Sequence, residues 1–126
     1  MDTGSFNEVF RKRTKKLAIS IMGFYAHLPK TDEIRIIGKQ LIKSATSVGA
    51  NFRAVCLAGS VKERYSKYCI VVEEADEMIF WLELLEESHL KIAIPDSIKN
   101  EALELSKVMA SCKKRLKNKS SLTPNS

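Results

Sequence analysis

The most constraining feature of this sequence is a pair of apolar stripes that meet at one break near Gly59. On both sides of the break, apolar residues recur at alternating steps of three and four, which places them on one face of an α-helix. The members are Leu41, Ala45, Val48, Phe52 and Val55 before the break, and Tyr65, Tyr68, Val72, Ala75, Ile79 and Leu82 after it. The short connection favours an antiparallel pair of amphipathic helices.

Start and stop signals divide the chain into four helices. Pro29 and Pro95 interrupt helical segments, Thr31 is a good N-cap, and Ser5 and Ser60 each begin an S-x-x-E capping box. These signals predict α1 over about 6–28, α2 over about 32–58, α3 over about 61–88 and α4 over about 96–117, followed by a flexible tail over about 118–126. The chain is therefore expected to be all-α, a single-domain, antiparallel, up-down four-helix bundle.

Composition restricts the class of protein further. No apolar run approaches the ~20 residues that a membrane-spanning helix needs, and the N-terminus lacks the order of a signal peptide. These observations predict a cytoplasmic protein without a membrane partner. The three cysteines, Cys56, Cys69 and Cys112, are far apart in the sequence and have apolar neighbours, so we expect free thiols in the core rather than disulfides or a zinc site.

Sequence motifs for catalysis are weak. The Glu86-x-x-His89 pair has the spacing of one half of a di-iron site, but the second half is missing because Phe24 stands three residues before His27, the other histidine. Phosphate-binding loops and nucleophile motifs are absent from the sequence. We therefore predict a protein that is not an enzyme and needs no metal or cofactor.

Basic residues provide the strongest candidate functional site. Arg35, Lys39 and Lys43 recur every four residues and line one face of the predicted α2. Two further runs occupy the first half of α1 and the end of α4, and they consist of Arg11, Lys12, Arg13, Lys15 and Lys16, and of Lys113, Lys114, Arg115 and Lys117. Such arrays bind the phosphate backbone of RNA or another nucleic acid, although solubility alone is the alternative explanation.

The predicted α3 carries more apolar surface than one stripe requires. Met78, Trp81 and Leu85 form part of a second stripe beside the first. We predict that these residues lie in an interface between subunits, because large apolar surfaces are rarely left exposed. The alternative is that α1 and α4 of the same chain cover them.

Several strings in this sequence are similar to those of a known family. SATSVGAN, then Ser60 and Glu63, then EEADE and WLELLEES resemble the bacterial four-helix-bundle proteins encoded in intervening sequences of 23S rRNA genes. The resemblance covers about residues 6–116 and implies a homopentamer of antiparallel bundles. This sequence departs from the family pattern at Ala54, where an acidic residue is common, and at Arg64, where an aromatic residue is common.

The resemblance also implies a function, because some relatives are accessory proteins of diversity-generating retroelements. Those relatives bind a reverse transcriptase and its template RNA, so the basic positions of α1, α2 and α4 would face RNA or the polymerase. We therefore expect an oligomeric RNA-binding accessory subunit. The alternatives are a family member without a polymerase partner and a structural oligomer whose basic charge is incidental.

Overall fold

The computed structural model describes residues 3–121 as four α-helices and their connections. The helices are α1 (Thr3–Ala26), α2 (Asp32–Leu57), α3 (Val61–Glu87) and α4 (Asp96–Ser121). Each helix packs against the next along the chain, and α1 also contacts α4, which closes the bundle. The predicted all-α, antiparallel, up-down four-helix bundle is confirmed.

Side-chain caps fix the start of two helices. Thr31 Oγ1 accepts a hydrogen bond from the amide of Ile34 at 3.2 Å, and Ser60 Oγ accepts one from the amide of Glu63 at 3.0 Å. Glu63 Oε2 in turn accepts a hydrogen bond from the amide of Gly59 at 3.1 Å. Both caps satisfy amides that have no partner inside the first turn of a helix, so the predicted starts of α2 and α3 are confirmed.

The predicted capping box at the start of α1 is wrong. The helix already includes Thr3, which places Ser5 inside its first turn rather than at its N-cap. Glu8 Oε1 accepts a hydrogen bond from Lys12 Nζ one turn later, at 3.2 Å. The helix therefore begins about three residues before the start predicted from the capping box.

The end of α4 also differs from the prediction. Residues 118–121 were expected in a flexible tail but continue the helix to Ser121, whereas residues 122–126 lie outside the described residues. No proline or glycine follows Lys117 until Pro124, so no residue there stops the helix. Lys119 in the last turn also interacts favourably with the negative end of the helix dipole.

One continuous apolar core runs between the four helices. Its largest fully buried members are Ile21 in α1, Leu41, Val48, Phe52 and Val55 in α2, Val71, Met78 and Leu85 in α3, and Leu105 and Met109 in α4. The buried stripe of α3 follows Tyr68, Val71, Ala75, Met78, Leu82 and Leu85. Other helices of the same chain therefore cover the second stripe predicted for α3.

This packing corrects part of the predicted oligomer interface. Met78 and Leu85 have no exposed surface, so neither side chain is available to a second subunit. The two stripes of α3 form one wide apolar face because this helix packs against both α2 and α4. Trp81 is only partly buried and packs against the edge of the core.

A close approach between α1 and α2 requires glycine at position 38. A Cβ atom added to Gly38 would overlap the ring of Tyr25, which would have to move. Lys30 Nζ lies over the same ring, 4.3 Å from its centroid, and so helps to hold the tyrosine there. Gly49 is different, because a Cβ atom at that position would lie in ordinary contact with Thr14 at 3.7 Å.

Candidate nucleic-acid interface

The antiparallel topology separates the charges of the chain into two halves. We call the half formed by residues 3–14, 45–73 and 109–121 the basic end, and the half formed by residues 15–44 and 74–108 the opposite end. The basic end contains twelve Lys and Arg residues and three Asp and Glu residues, whereas the opposite end contains nine and eleven. Arg11, Lys12 and Arg13 of α1 and the basic run of α4, which are remote in sequence, therefore lie in the same half of the bundle, whereas Lys15 and Lys16 begin the opposite end.

A groove between α1 and α2 forms one side of this region. It has a volume of about 310 Å³ and is lined by Glu8, Arg11, Lys12, Lys15 and Arg53. Arg53 was not among the predicted site residues, because only the structure shows which face of α2 it shares. Gly49 faces α1, and Arg53 stands one turn later on the same flank of α2.

A second cavity opens where all four helices end. We call it the end cavity; it has a volume of about 390 Å³ and is lined by Phe6, Asn7, Val55, Arg64, Tyr68, Cys112, Arg115, Leu116 and Lys119. Of the predicted site residues, only Arg115 lines it, and its Nη2 donates a hydrogen bond to Cys112 Sγ at 3.5 Å. Arg64 was not predicted as a site residue and stood out only as a departure from the family pattern.

Two side chains near the end cavity show how far its positive charge reaches into the bundle. Burial raises the pKa of Tyr68, and the nearby positive charge of Arg64 acts in the opposite direction. Burial likewise raises the pKa of Cys56, while Arg11 and Arg64 act to lower it. Arg64 therefore lies close enough to both side chains, and Arg11 close enough to Cys56, to oppose the effect of burial on their pKa values.

Arg13 does not present its charge to a partner as predicted. Its Nε and Nη2 atoms donate hydrogen bonds to the two carboxylate oxygens of Glu101 at 2.9 and 2.6 Å. This hydrogen-bonded pair raises the pKa of Arg13 and lowers the pKa of Glu101. Both side chains are less than one-third exposed. Arg13 therefore joins α1 to α4, which corrects its assignment as a nucleic-acid-binding residue.

The remaining residues predicted on α1 and α4 lie at the surface. Arg11, Lys12, Lys15 and Lys16 are exposed, as are Lys114, Arg115 and Lys117, whereas Lys113 is partly buried. Lys12 forms an ion pair with Glu8 at 3.2 Å, but both side chains are well exposed, and such pairs contribute little to stability. These cations are consequently accessible from solvent.

The basic face of α2 lies apart from the basic end. Arg35, Lys39 and Lys43 are exposed but belong to the first half of α2. Arg35 is about 27 Å along the helix axis from Arg53, at about 1.5 Å per residue. It also pairs with Asp32 at 3.5 Å. The fold therefore does not bring this face into the basic end.

Lys43 has an acidic neighbour on the facing helix. Burial and the adjacent carboxylate of Glu77 raise the pKa of Glu74, while Lys43 and a hydrogen bond from Ser47 act in the opposite direction. The charge of Lys43 is thus partly balanced within the chain. This again distinguishes the α2 face from the basic end.

The two residues considered as metal ligands have other partners. Glu86 Oε2 accepts a hydrogen bond from Lys99 Nζ at 2.6 Å, and His89 Nε2 lies 3.1 Å from Glu33 Oε2. Among residues 3–121, no three His, Cys, Asp or Glu side chains form a group able to hold a metal ion. Within the same residues, no helix is both long enough and apolar enough to cross a membrane.

An aromatic pair marks a separate surface on α3. Phe80 is 51% exposed, and its ring lies edge-on to that of Trp81 with 4.9 Å between the ring centroids. The Nε1 atom of Trp81 is buried and has no hydrogen-bond partner among the described residues. Buried indole N–H groups usually have an acceptor. The unpaired N–H of Trp81 is therefore an unusual feature of this surface.

Two comparisons with known proteins give consistent results. A crystal structure of a protein of unknown function, from the S23 ribosomal protein family of Bacteroides thetaiotaomicron, superposes with a TM-score of 0.74. The two sequences are 31% identical, and the match covers 86% of this chain and 97% of the other. No curated protein matches the chain. The model of the family described as 23S rRNA-intervening sequence protein matches residues 7–111, and the chain belongs to this family.

Proposed function

We propose that this protein is a non-enzymatic RNA-binding protein and that its basic end contacts the phosphate backbone. The observation that carries the proposal is the concentration of twelve Lys and Arg residues in one half of the bundle. Within residues 3–121, only Lys12 and Arg13 of these twelve lie within 4.0 Å of a carboxylate oxygen. A polyanion would supply the missing counter-charge.

The arrangement supports contact with the backbone rather than reading of sequence. Lysine and arginine side chains release counterions when they neutralise phosphates, and this contribution is independent of base sequence. The groove between α1 and α2 adds a concave surface with Arg11, Lys15 and Arg53 along it. The protein is therefore expected to bind many RNAs with affinities that fall steeply as salt is added.

Fluorescence anisotropy with a labelled RNA across a salt series tests the proposal. One variant replaces Lys113, Lys114 and Lys117 at the basic end by alanine. The matched control replaces Arg35, Lys39 and Lys43, which removes the same charge from the opposite end. We expect the first variant to bind about tenfold more weakly at low salt, with the slope of log K against log salt reduced by roughly 0.7–0.9 for each lost phosphate contact.

The control variant is expected to change the affinity for RNA by less than about threefold. Its three missing cations would contribute only to the long-range electrostatic attraction of RNA and not to direct contacts. Equal weakening of both variants would contradict the assignment to the basic end and indicate that net charge alone drives binding. Absence of RNA binding by the wild type at low salt would overturn the proposal. The protein would then be a structural oligomer whose charge serves solubility.

We further propose that the RNA-binding protein is an accessory subunit of a reverse transcriptase in a diversity-generating retroelement. This part of the proposal rests on the resemblance of SATSVGAN and WLELLEES to the 23S rRNA intervening-sequence family, because some members of that family are such accessory proteins. The test is to sequence the genes on either side and to co-purify the protein with any reverse transcriptase encoded there. Absence of such a gene would favour a family member without a polymerase partner.

We also propose that the protein assembles with copies of itself, as a homopentamer. The surface around Phe80 and Trp81 is the best candidate for the contact, because it combines an exposed ring with a buried indole N–H that has no acceptor within residues 3–121. Light scattering measures the mass directly. A pentamer that the substitution Phe80→Asp dissociates is the expected result, and a monomeric wild type would overturn this proposal.

A further inference from the structure

The end cavity differs from the rest of the basic end because it is both apolar and cationic. Phe6, Val55 and Leu116 contribute apolar surface, and Tyr68 and Cys112 lie almost buried beneath it. At about 390 Å³, the cavity is large enough for part of a small ligand, since such pockets typically measure about 300–1,000 Å³. Binding of phosphates by surface lysines does not need an apolar cavity of this kind.

Among the described residues, the charged groups of the cavity are all of one sign. Arg64, Arg115 and Lys119 contribute to its lining, and no carboxylate of residues 3–121 does. Within residues 3–121, none of the three has a carboxylate oxygen within 4.0 Å. The remaining polar member, Asn7, has an amide that both donates and accepts hydrogen bonds.

These properties restrict the chemistry of the occupant. A purely apolar ligand would remove three cations from water without a partner, which is unfavourable. Inorganic phosphate would satisfy the cations but leave the apolar wall in contact with water. A nucleotide satisfies both requirements, because it joins a flat, largely apolar base with polar edges to a phosphate.

We propose that the end cavity binds one unpaired nucleotide of RNA. The base lies against Phe6 and Leu116 with its edge near Asn7, and the phosphate lies among Arg64, Arg115 and Lys119. This inference rests on the proposed RNA-binding function and adds a property that a basic surface lacks. A base held in a duplex cannot enter the cavity, so the protein prefers RNA with an unpaired end to blunt duplex RNA.

Binding of two RNA hairpins measured by fluorescence anisotropy tests the inference. One hairpin is blunt, and the other carries a single unpaired adenosine at its 3′ end. We expect the wild type to bind the second hairpin about tenfold more tightly, a typical effect of one well-placed base. The substitution Leu116→Trp fills the cavity without changing charge and is expected to abolish this difference while leaving the affinity for the blunt hairpin unchanged.

Leu103→Trp is the matched control, because Leu103 is an exposed leucine of the same helix about 20 Å away. This variant is expected to retain the tenfold preference. Arg64→Gln is a second test that does not depend on tolerance of a large side chain. It is expected to weaken binding of the overhanging hairpin more than that of the blunt one, and circular dichroism confirms that each variant is folded.

The outcomes separate this inference from the function on which it rests. Equal binding of both hairpins by the wild type would overturn the nucleotide cavity and leave backbone binding intact. A preference that survives both Leu116→Trp and Arg64→Gln would also overturn it, because the unpaired base would then bind elsewhere. Failure of the wild type to bind either hairpin would overturn both proposals.

Discussion

The two ends of the bundle use charge in different ways. At the opposite end, acidic and basic side chains pair between elements, as Glu86 does with Lys99 and Glu33 with His89. At the basic end, ten of the twelve cations lack a carboxylate partner among the described residues. Packing of the helices does not require so many unpaired cations at the basic end, and the repulsion between them is unfavourable for the folded state. The proposed RNA-binding function would account for this difference between the two ends.

Apolar packing, in contrast, is expected to matter equally at both ends. Phe52 at the basic end and Leu41 at the opposite end have no exposed surface. We expect Phe52→Ala to lower the free energy of unfolding by about 3–5 kcal/mol and Leu41→Ala by about 2–5 kcal/mol, because both leave cavities. Urea denaturation measures both values. A cost below about 1 kcal/mol for Phe52→Ala would mean that the basic end is loosely packed and that the ends differ in more than charge.

A smaller effect is expected from Gly38 at the opposite end. Gly38→Ala would force the ring of Tyr25 to move and is expected to destabilise the fold by about 1–3 kcal/mol. Gly23→Ala is the control, because no described atom beyond its chain neighbours and the local helix backbone lies within 4 Å of the added Cβ. Alanine favours the helix there by about 0.5–1 kcal/mol. Thermal denaturation showing equal stabilisation by both substitutions would contradict the close approach of α1 and α2.

The ion pair between Arg13 and Glu101 provides a prediction about pH. Glu101→Gln is expected to lower the free energy of unfolding by about 1 kcal/mol at neutral pH, because both side chains are partly exposed. Arg13 lowers the pKa of Glu101 in the folded state. The contribution is therefore complete above the unfolded pKa of about 4.3 and is lost as the pH falls through the lower folded value.

Urea denaturation of the wild type and Glu101→Gln between neutral pH and about pH 3 measures this difference. The two curves of stability against pH are expected to converge at the acidic end of the range. Curves that stay parallel throughout would show that the carboxylate of Glu101 does not interact with Arg13. The assignment of Arg13 to the nucleic-acid surface would then be open again.

The smallest predicted effect concerns salt. Repulsion within the basic end is screened by ions, so moderate salt is expected to stabilise the wild type by less than about 1 kcal/mol. Replacement of Lys113, Lys114 and Lys117 by alanine is expected to reduce this stabilisation by salt. Replacement of Arg35, Lys39 and Lys43 by alanine is expected to leave it unchanged. Thermal denaturation at several salt concentrations measures both. Destabilisation of the wild type by salt would mean that attractive pairs dominate at both ends.

Local signals in the sequence predicted much of the fold. The alternating apolar steps and the caps at Thr31 and Ser60 defined α2 and α3, because these features act within one or two turns. The interface predicted at Met78 and Leu85 was wrong because periodicity shows the width of an apolar face but not which helices cover it. The steric need for Gly38 depends on a residue of another helix and was not visible in the sequence.

The candidate site was predictable only in part. The basic runs of α1 and α4 are visible as sequence, and the antiparallel topology explains why they meet. The same topology places Arg35 and Lys39 in the other half, although the family resemblance had implied that the basic positions of α1, α2 and α4 all face RNA or the polymerase. The hydrogen bonds between Arg13 and Glu101, 88 residues away in sequence, could be identified only from the tertiary structure. The same is true of the positions of Arg53 in the groove and of Arg64 in the end cavity.

Photochemical crosslinking of bound RNA followed by mass spectrometry of the attached peptides tests the central claim most directly. We predict crosslinks to residues of the basic end, in the first half of α1, around Arg53 and Arg64, and in the last half of α4. Few crosslinks are expected in the first half of α2. Crosslinks concentrated at Arg35, Lys39 and Lys43, or spread evenly over the surface, would contradict the assignment of RNA binding to the basic end.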